Sequence, residues 1–183
     1  SDGETKKRSL HADDIAGISY LYPDRGEPPN LTPYQPAGWG NVIVVAAAKG
    51  TAADGATLYS SDTLYVDWAV KNRGEGKVTA RFYTALYVDG ELLESWYPSL
   101  PFMAGDITQV NDYSIGSLSP GVHTLQIVTD MLGAIQESDE SDNVYSRTVT
   151  VAAPPLLPNL VPSKPAGWSD RIVVASAAGT TTS

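Results

Sequence analysis

Between residues 28 and 153, apolar and polar positions alternate in short runs, and almost no stretch repeats its apolar residues at helical spacing. Leu64, Val66, Trp68 and Val70 alternate with Thr63, Tyr65, Asp67 and Ala69, which predicts a half-buried strand. That strand ends in Asn72-Arg73-Gly74-Glu75-Gly76, a glycine-rich turn. Residues 78–88 predict the next strand, with Phe82, Leu86 and Val88 on one face and Tyr83, Ala85 and Tyr87 on the other. Asp89-Gly90 then reads as a type I′ hairpin turn, because both residues tolerate positive φ, and Leu92 and Trp96 continue into the partner strand. Further strands are predicted at 107–115, 122–128 and 144–151, with Ser119-Pro120-Gly121 turning between the first two. Residues 42–47 add an extra strand or an edge loop. About seven short strands without helices predict an all-β fold, an Ig-like antiparallel β-sandwich. Trp68, Phe82, Leu86, Leu125 and Ile127 are its expected core.

Helical period occurs only near the N-terminus. Leu10, Ile15, Ile18 and Leu21 share one face, Asp13 and Asp14 suit a first helical turn, and Pro23 ends the run. This predicts a short N-terminal α-helix whose apolar face needs a partner, since a helix of that length is marginal alone.

Proline clusters divide the chain into 1–27, 28–153 and 154–183. The joints carry a repeat: residues 29–51 recur as residues 158–180, identical at 15 of 23 positions and offset by 129 residues. Residues 154–183 therefore read as a linker and the first strand of a second copy, a C-terminal partial repeat. The expectation is that the polypeptide continues beyond Ser183, and that the strand at 172–175 pairs with a sheet edge or stays mobile.

Composition narrows the chemistry. The 183 residues carry 21 acidic and 12 basic side chains, a net charge of −9. Fourteen of the acids and six of the bases fall in 28–153. Such a surface argues against nucleic acid and anionic membranes as partners, and no apolar run is long enough for membrane insertion. With no cysteine, disulfides, thiolate zinc sites and cysteine nucleophiles are excluded. His11 and His123 lie far apart in sequence and neither has a nucleophile and an orienting acid in reach, so no catalytic residue is assigned.

The run Glu137-Ser138-Asp139-Glu140-Ser141-Asp142-Asn143 offers the densest oxygen chemistry. Calcium takes six to eight oxygen ligands, and Asp130, Glu137, Asp139, Glu140 and Asp142 could supply carboxylates. The spacing is not that of an EF-hand, and the competing reading is a turn in which these side chains bond backbone amides. Trp39, Trp96, Tyr83, Tyr87 and Tyr97 raise glycan stacking as a third reading, against their ordinary role as sandwich filling. Trp39 recurs as Trp168 within the repeat, which suits a structural plug. Asn30-Leu31-Thr32 matches a glycosylation sequon, but Pro33 follows directly.

Two family resemblances build on these residues. Pro29-Asn30-Leu31, DTLYVDWAVKNRGEG (62–76), LYVDGELL (86–93), LSPGVHTLQIVTD (118–130) and IQESDESDNVYSRTVTV (135–151) together resemble CARDB, the cell-adhesion-related domain of bacteria and archaea. The resemblance implies an Ig-like extracellular module that occurs in tandem and carries no catalytic residues. In the tail, Arg8, Leu10, Asp13, Asp14, Ile15, Gly17, Ile18, Leu21 and Tyr22 resemble the closing helix of matrixin-type zinc metalloproteases. That implies an upstream catalytic domain holding zinc, because the motif H-E-x-x-H-x-x-G-x-x-H is absent from these residues. The expected function is a non-catalytic adhesion, substrate-anchoring or spacer region of a secreted or cell-surface bacterial protein. Its expected partners are a cell-surface protein or polymer, the parent's catalytic domain, and neighbouring CARDB repeats. The alternatives are a surface adhesin without a protease, and a calcium- or glycan-binding module of another extracellular hydrolase.

Overall fold

The computed structural model describes residues 26–53, 55–156 and 162–168. The chain divides between Ala153 and Pro154 into two compact units. In the first unit the described residues form nine strands and no helix. These are β1 (Leu31–Tyr34), β2 (Ile43–Ala46), β3 (Leu58–Tyr59), β4 (Leu64–Asn72), β5 (Thr84–Val88), β6 (Glu91–Trp96), β7 (Ile107–Gly116), β8 (Gly121–Val128) and β9 (Val144–Ala152). The predicted helix and the predicted strand at 172–175 lie outside the described residues.

Two sheets result. In one, β4 is central: β2 pairs with its residues 65–68, β1 with 69–72, and β7 runs along its other edge, all antiparallel. The other has the order β3-β9-β8-β5-β6. The sandwich is not wholly antiparallel, because β3 joins β9 in parallel through Leu58 and Tyr59.

The main core packs Ile43, Leu64, Val66 and Trp68 of the first sheet against Leu86, Leu125, Ile127 and Val149 of the second. At roughly 1.5–3 kcal/mol per large buried side chain, burial of this kind can hold a module that lacks disulfides. Trp68, Trp96 and Tyr113 pack edge to face, Trp68–Trp96 at 4.5 Å and Trp96–Tyr113 at 4.9 Å between ring centroids. All five predicted core residues are buried.

Three expectations need correction. The run 78–88 is a strand only from Thr84 onward. Val78 makes an isolated bridge to Phe102, and Val78 and Phe82 fill a second, smaller core with Leu31, Phe102 and Ile135. Their apolar character serves that plug rather than an alternating ladder. β4 is buried on both faces, Asp67 and Ala69 included, where a half-buried strand would leave one face wet; the Asp112 N–H of β7 donates to the Asp67 carboxylate there. Finally, the expected seven strands become nine among the described residues, because β1 and β3, which have no signal of their own, form on distant partners.

The turn at Asp89-Gly90 has φ of 52° and 85°, as its type requires. After β4, Gly74 and Gly76 lie against the incoming chain: a Cβ on either would overlap the backbone of residues 27–30. Asn72, fully buried, ties this corner together. Its Oδ1 accepts from the Asn30 and Gly74 amides (3.1 Å each), and its Nδ2 donates to the Gly76 carbonyl (2.7 Å).

The repeat preserves a local conformation. Trp39 N–H donates to the Pro36 carbonyl across Gly38 (φ 88°), and Trp168 N–H donates to the Pro165 carbonyl across Gly167 (φ 86°), both at 3.1 Å.

Candidate functional site

The acidic run lies in the loop joining β8 to β9. Thr129 closes its neck by donating from both N–H (2.8 Å) and Oγ1 (2.9 Å) to the Asn143 carbonyl. Asp130 adopts a left-handed conformation (φ 42°) and is buried. Its carboxylate accepts the Ala134 and Ile135 amides at 3.1 and 2.8 Å, so it closes the first turn of the loop. Asp139 accepts the hydroxyl (2.6 Å) and amide (2.9 Å) of Ser141, which hold its carboxyl below the usual range.

Of the other three acids, Glu137 and Asp142 meet the entering chain, and the exposed Glu140 braces Glu137 from within the loop. Glu137, only 8% exposed, accepts the Leu31 N–H and the Asn143 Nδ2 (3.0 Å). Burial pushes its carboxyl up to about 7, opposed by those two donors and reinforced by the charges of Glu140 and Asp130. Glu140 accepts the Glu137 N–H at 2.9 Å. Asp142 accepts the Asn30 Nδ2 at 3.1 Å, and its carbonyl accepts the Thr32 hydroxyl at 3.1 Å. The Ser138 N–H donates to the Pro29 carbonyl at 2.9 Å. The loop is thus a clamp that holds residues 29–32 at the start of β1.

Within the clamp, buried oxygens outnumber donors. Asn30 Oδ1, Asp142 Oδ1 and Asn143 Oδ1 are each buried without a partner. Among the described residues, no group of three or more His, Cys, Asp or Glu side chains is arranged to hold a metal ion. The oxygens left over are one carboxylate and two carboxamides, so any cation here would be held by a mixed set. Of the five predicted residues, Glu137, Glu140 and Asp142 share this network, whereas Asp130 and Asp139 serve turns. Sequence reasoning named Asn30 in Pro29-Asn30-Leu31 and in the sequon but did not join it to the acidic run, since no local pattern links positions 30 and 142. Because Asn30 Nδ2 is engaged by Asp142, the sequon overlapping it is tied into the clamp.

His123 has a structural role. Nδ1 contacts the Asp89 carboxylate at 2.6 Å and Nε2 the Ser119 carbonyl at 2.8 Å. Both ring nitrogens face acceptors, which suits the imidazolium: the bond to Asp89, then that to Ser119, raises its pKa, and His123 lowers that of Asp89. His11 lies outside the described residues.

The candidate aromatics separate into distinct settings. Trp39 sits half-buried in its turn, and Trp96 joins the core cluster with Trp68 and Tyr113. Tyr97 lies edge-on to Tyr83 (5.6 Å) beneath the Arg81 guanidinium (4.3 Å). Tyr87 is half-buried on β5.

The CARDB family model matches residues 43–147, more than half of the chain. Among solved structures, the chain is similar to the CARDB domain of the PF1109 protein from Pyrococcus furiosus, determined in complex with di-metal ions. The TM-score is 0.51 at 18% identity, covering 70% of this chain and 97% of that one. The solution structure of the same domain gives a TM-score of 0.49 at 19% identity, covering 69% and 97%. A domain (residues 272–376) of a Methanosarcina acetivorans protein assigned to the cell surface gives 0.49 at 18%, covering 68% and 92%. These likenesses concern the fold. No curated relative matches.

Proposed function

The chain belongs to the CARDB family, and on that premise we propose that its sandwich is a non-catalytic spacer and adhesion module of a secreted or cell-surface bacterial protein. It separates neighbouring domains and holds them to a cell-surface protein or polymer. The observation that supports the spacing role is the placement of entry and exit. Residues 29–32 are clamped to the loop that precedes β9, and the chain leaves after Ala152, at the far end of that strand. Nine residues of strand put about 27 Å between the two ends. Opposite poles are what a module needs to be strung in tandem, as the repeat at 158–180 implies. Removal of residues 29–153 from the parent polypeptide is expected to lower its retention on cells. Turnover of a small soluble substrate by any attached catalytic domain should not change; loss of that turnover would overturn the reading.

The finer reading makes the parent a matrixin-like zinc metalloprotease, on the strength of Arg8, Leu10, Asp13, Asp14, Ile15, Gly17, Ile18, Leu21 and Tyr22. The sequence immediately upstream of Ser1 tests it: H-E-x-x-H-x-x-G-x-x-H followed by a methionine turn supports a protease, and further β-modules support an adhesin array.

A second reading is favoured by the three partnerless oxygens of the clamp. Asn30, Asp142 and Asn143 would hold a hard cation such as calcium, which accepts mixed carboxylate and carboxamide ligands. The di-metal complex of the PF1109 domain makes metals the first ligands to try. At a hundredfold excess over Kd, a cation adds about 2.7 kcal/mol to stability. Calcium should therefore raise the melting temperature by several degrees over a chelated sample, and Asp142→Ala should remove the rise. Identical melts with and without calcium would sink this reading.

A further inference from the structure

We propose that the cleft between β6 and β7 is a subsite for one neutral pyranose residue of a glycan. It lies along one open side of the sandwich, where, among the described residues, β6 is the last strand of its sheet and β7 pairs only with β4. About 150 Å³ in volume, it has room for a single sugar ring. Trp96, Tyr97 and Pro98 contribute its aromatic and apolar walls, and Thr84, Thr108 and Gln109 its polar ones.

Three observations favour a sugar over other occupants. First, the platform is braced: Tyr97 lines the cleft and remains 55% exposed, while Arg81 covers its ring at 4.3 Å and Tyr83 abuts it at 5.6 Å. A braced aromatic ring offers the C–H face of a pyranose a surface that loses little entropy on binding.

Second, the cleft holds polar groups with hydrogen-bonding capacity to spare. The Thr84 hydroxyl belongs to a residue only 4% exposed and has no hydrogen-bond partner. Half-buried Thr108 and exposed Gln109 add a hydroxyl and a carboxamide that no described protein group engages. A purely apolar ligand would cover these groups unsatisfied, whereas sugar hydroxyls both donate and accept. Third, no described residue lining the cleft is charged, the neighbouring Arg81 guanidinium is already engaged over the Tyr97 ring, and the surrounding module carries fourteen acids against six bases. Uronic, sialic and sulfated sugars are disfavoured by that field, which leaves neutral ones.

The test is titration of the intact chain with cellohexaose, chitohexaose and maltohexaose, read by tryptophan fluorescence and by shifts of the indole N–H signals. At least one neutral oligosaccharide should bind saturably, and hexagalacturonate should not. Tyr97→Ala and Gln109→Ala should each weaken binding about tenfold while leaving thermal unfolding unchanged. Trp96 is left intact because it supports the core. The proposal is overturned if none of the three neutral probes binds, if hexagalacturonate binds as well as they do, or if binding survives both substitutions. None of these outcomes bears on the spacer role, which rests on the placement of the chain ends.

Discussion

At the scale of single residues, Asn72 and the His123–Asp89 pair explain most about how loops are fastened to this sandwich. Asn72 is fully buried and bonds four backbone groups, on Asn30, Gly74, Gly76 and Phe102. Asn72→Ala strands those groups without partners, and an equilibrium urea unfolding curve should show a loss of about 3 kcal/mol. The pair of His123 with Asp89 predicts a pH dependence. The folded pKa of His123 is raised above its ordinary 6.5, so its contribution is complete below 6.5 and fades as pH climbs through the raised value. That of Asp89 is lowered below 3.8, so its contribution is present above 3.8 and lost as pH falls through the lowered value. The interaction is whole between those limits. Asp89→Asn should therefore shift the denaturant midpoint most near pH 5 and least near pH 9; equal shifts at both would show that charge plays no part.

Elements were legible where their own alternation decides their place. The bounds of β7, β8 and β9 fall within about a residue of those expected, and the Asp89-Gly90 turn was marked by its residue types. Legibility failed where the deciding contact is remote. Nothing in Leu31–Tyr34 announces a strand, because β1 is specified by β4 and by the clamp more than 100 positions away. Val78 and Phe82 resembled a strand because a plug residue and a ladder residue look alike one at a time. The acidic run was visible as a cluster, but which acids face Asn30 and which close turns depends on folding a loop against the entering chain. The same packing makes the corner after β4 sensitive. Gly76→Ala places a methyl group against the Glu27 and Pro28 backbone, and a calorimetric scan should show a loss of about 1–3 kcal/mol, with β4 itself intact.

Across the whole molecule, stability comes from burial between two sheets, with a second small plug at one end. The main-core and plug residues all lie between Leu31 and Val151. A fragment of residues 26–153 should therefore unfold in one cooperative step, within a few degrees of the full chain, as followed by circular dichroism. A markedly lower or multiphasic transition would mean that the flanking segments carry part of the core. The clamp has a further, mechanical consequence. A module strung between two others bears tension, which enters at Pro29 and leaves at Ala152. The load falls first on a few bonds to Glu137, Ser138 and Asp142 and on a four-residue strand, not on the long ladders of β4–β7 or β8–β9. Peeling β1 would pay out about 14 Å of chain while the remaining ladders stay closed. In a single-molecule pulling trace this is a small yield step ahead of the main rupture: the domain stretches before it breaks, and the entry strand re-zips when the force is released.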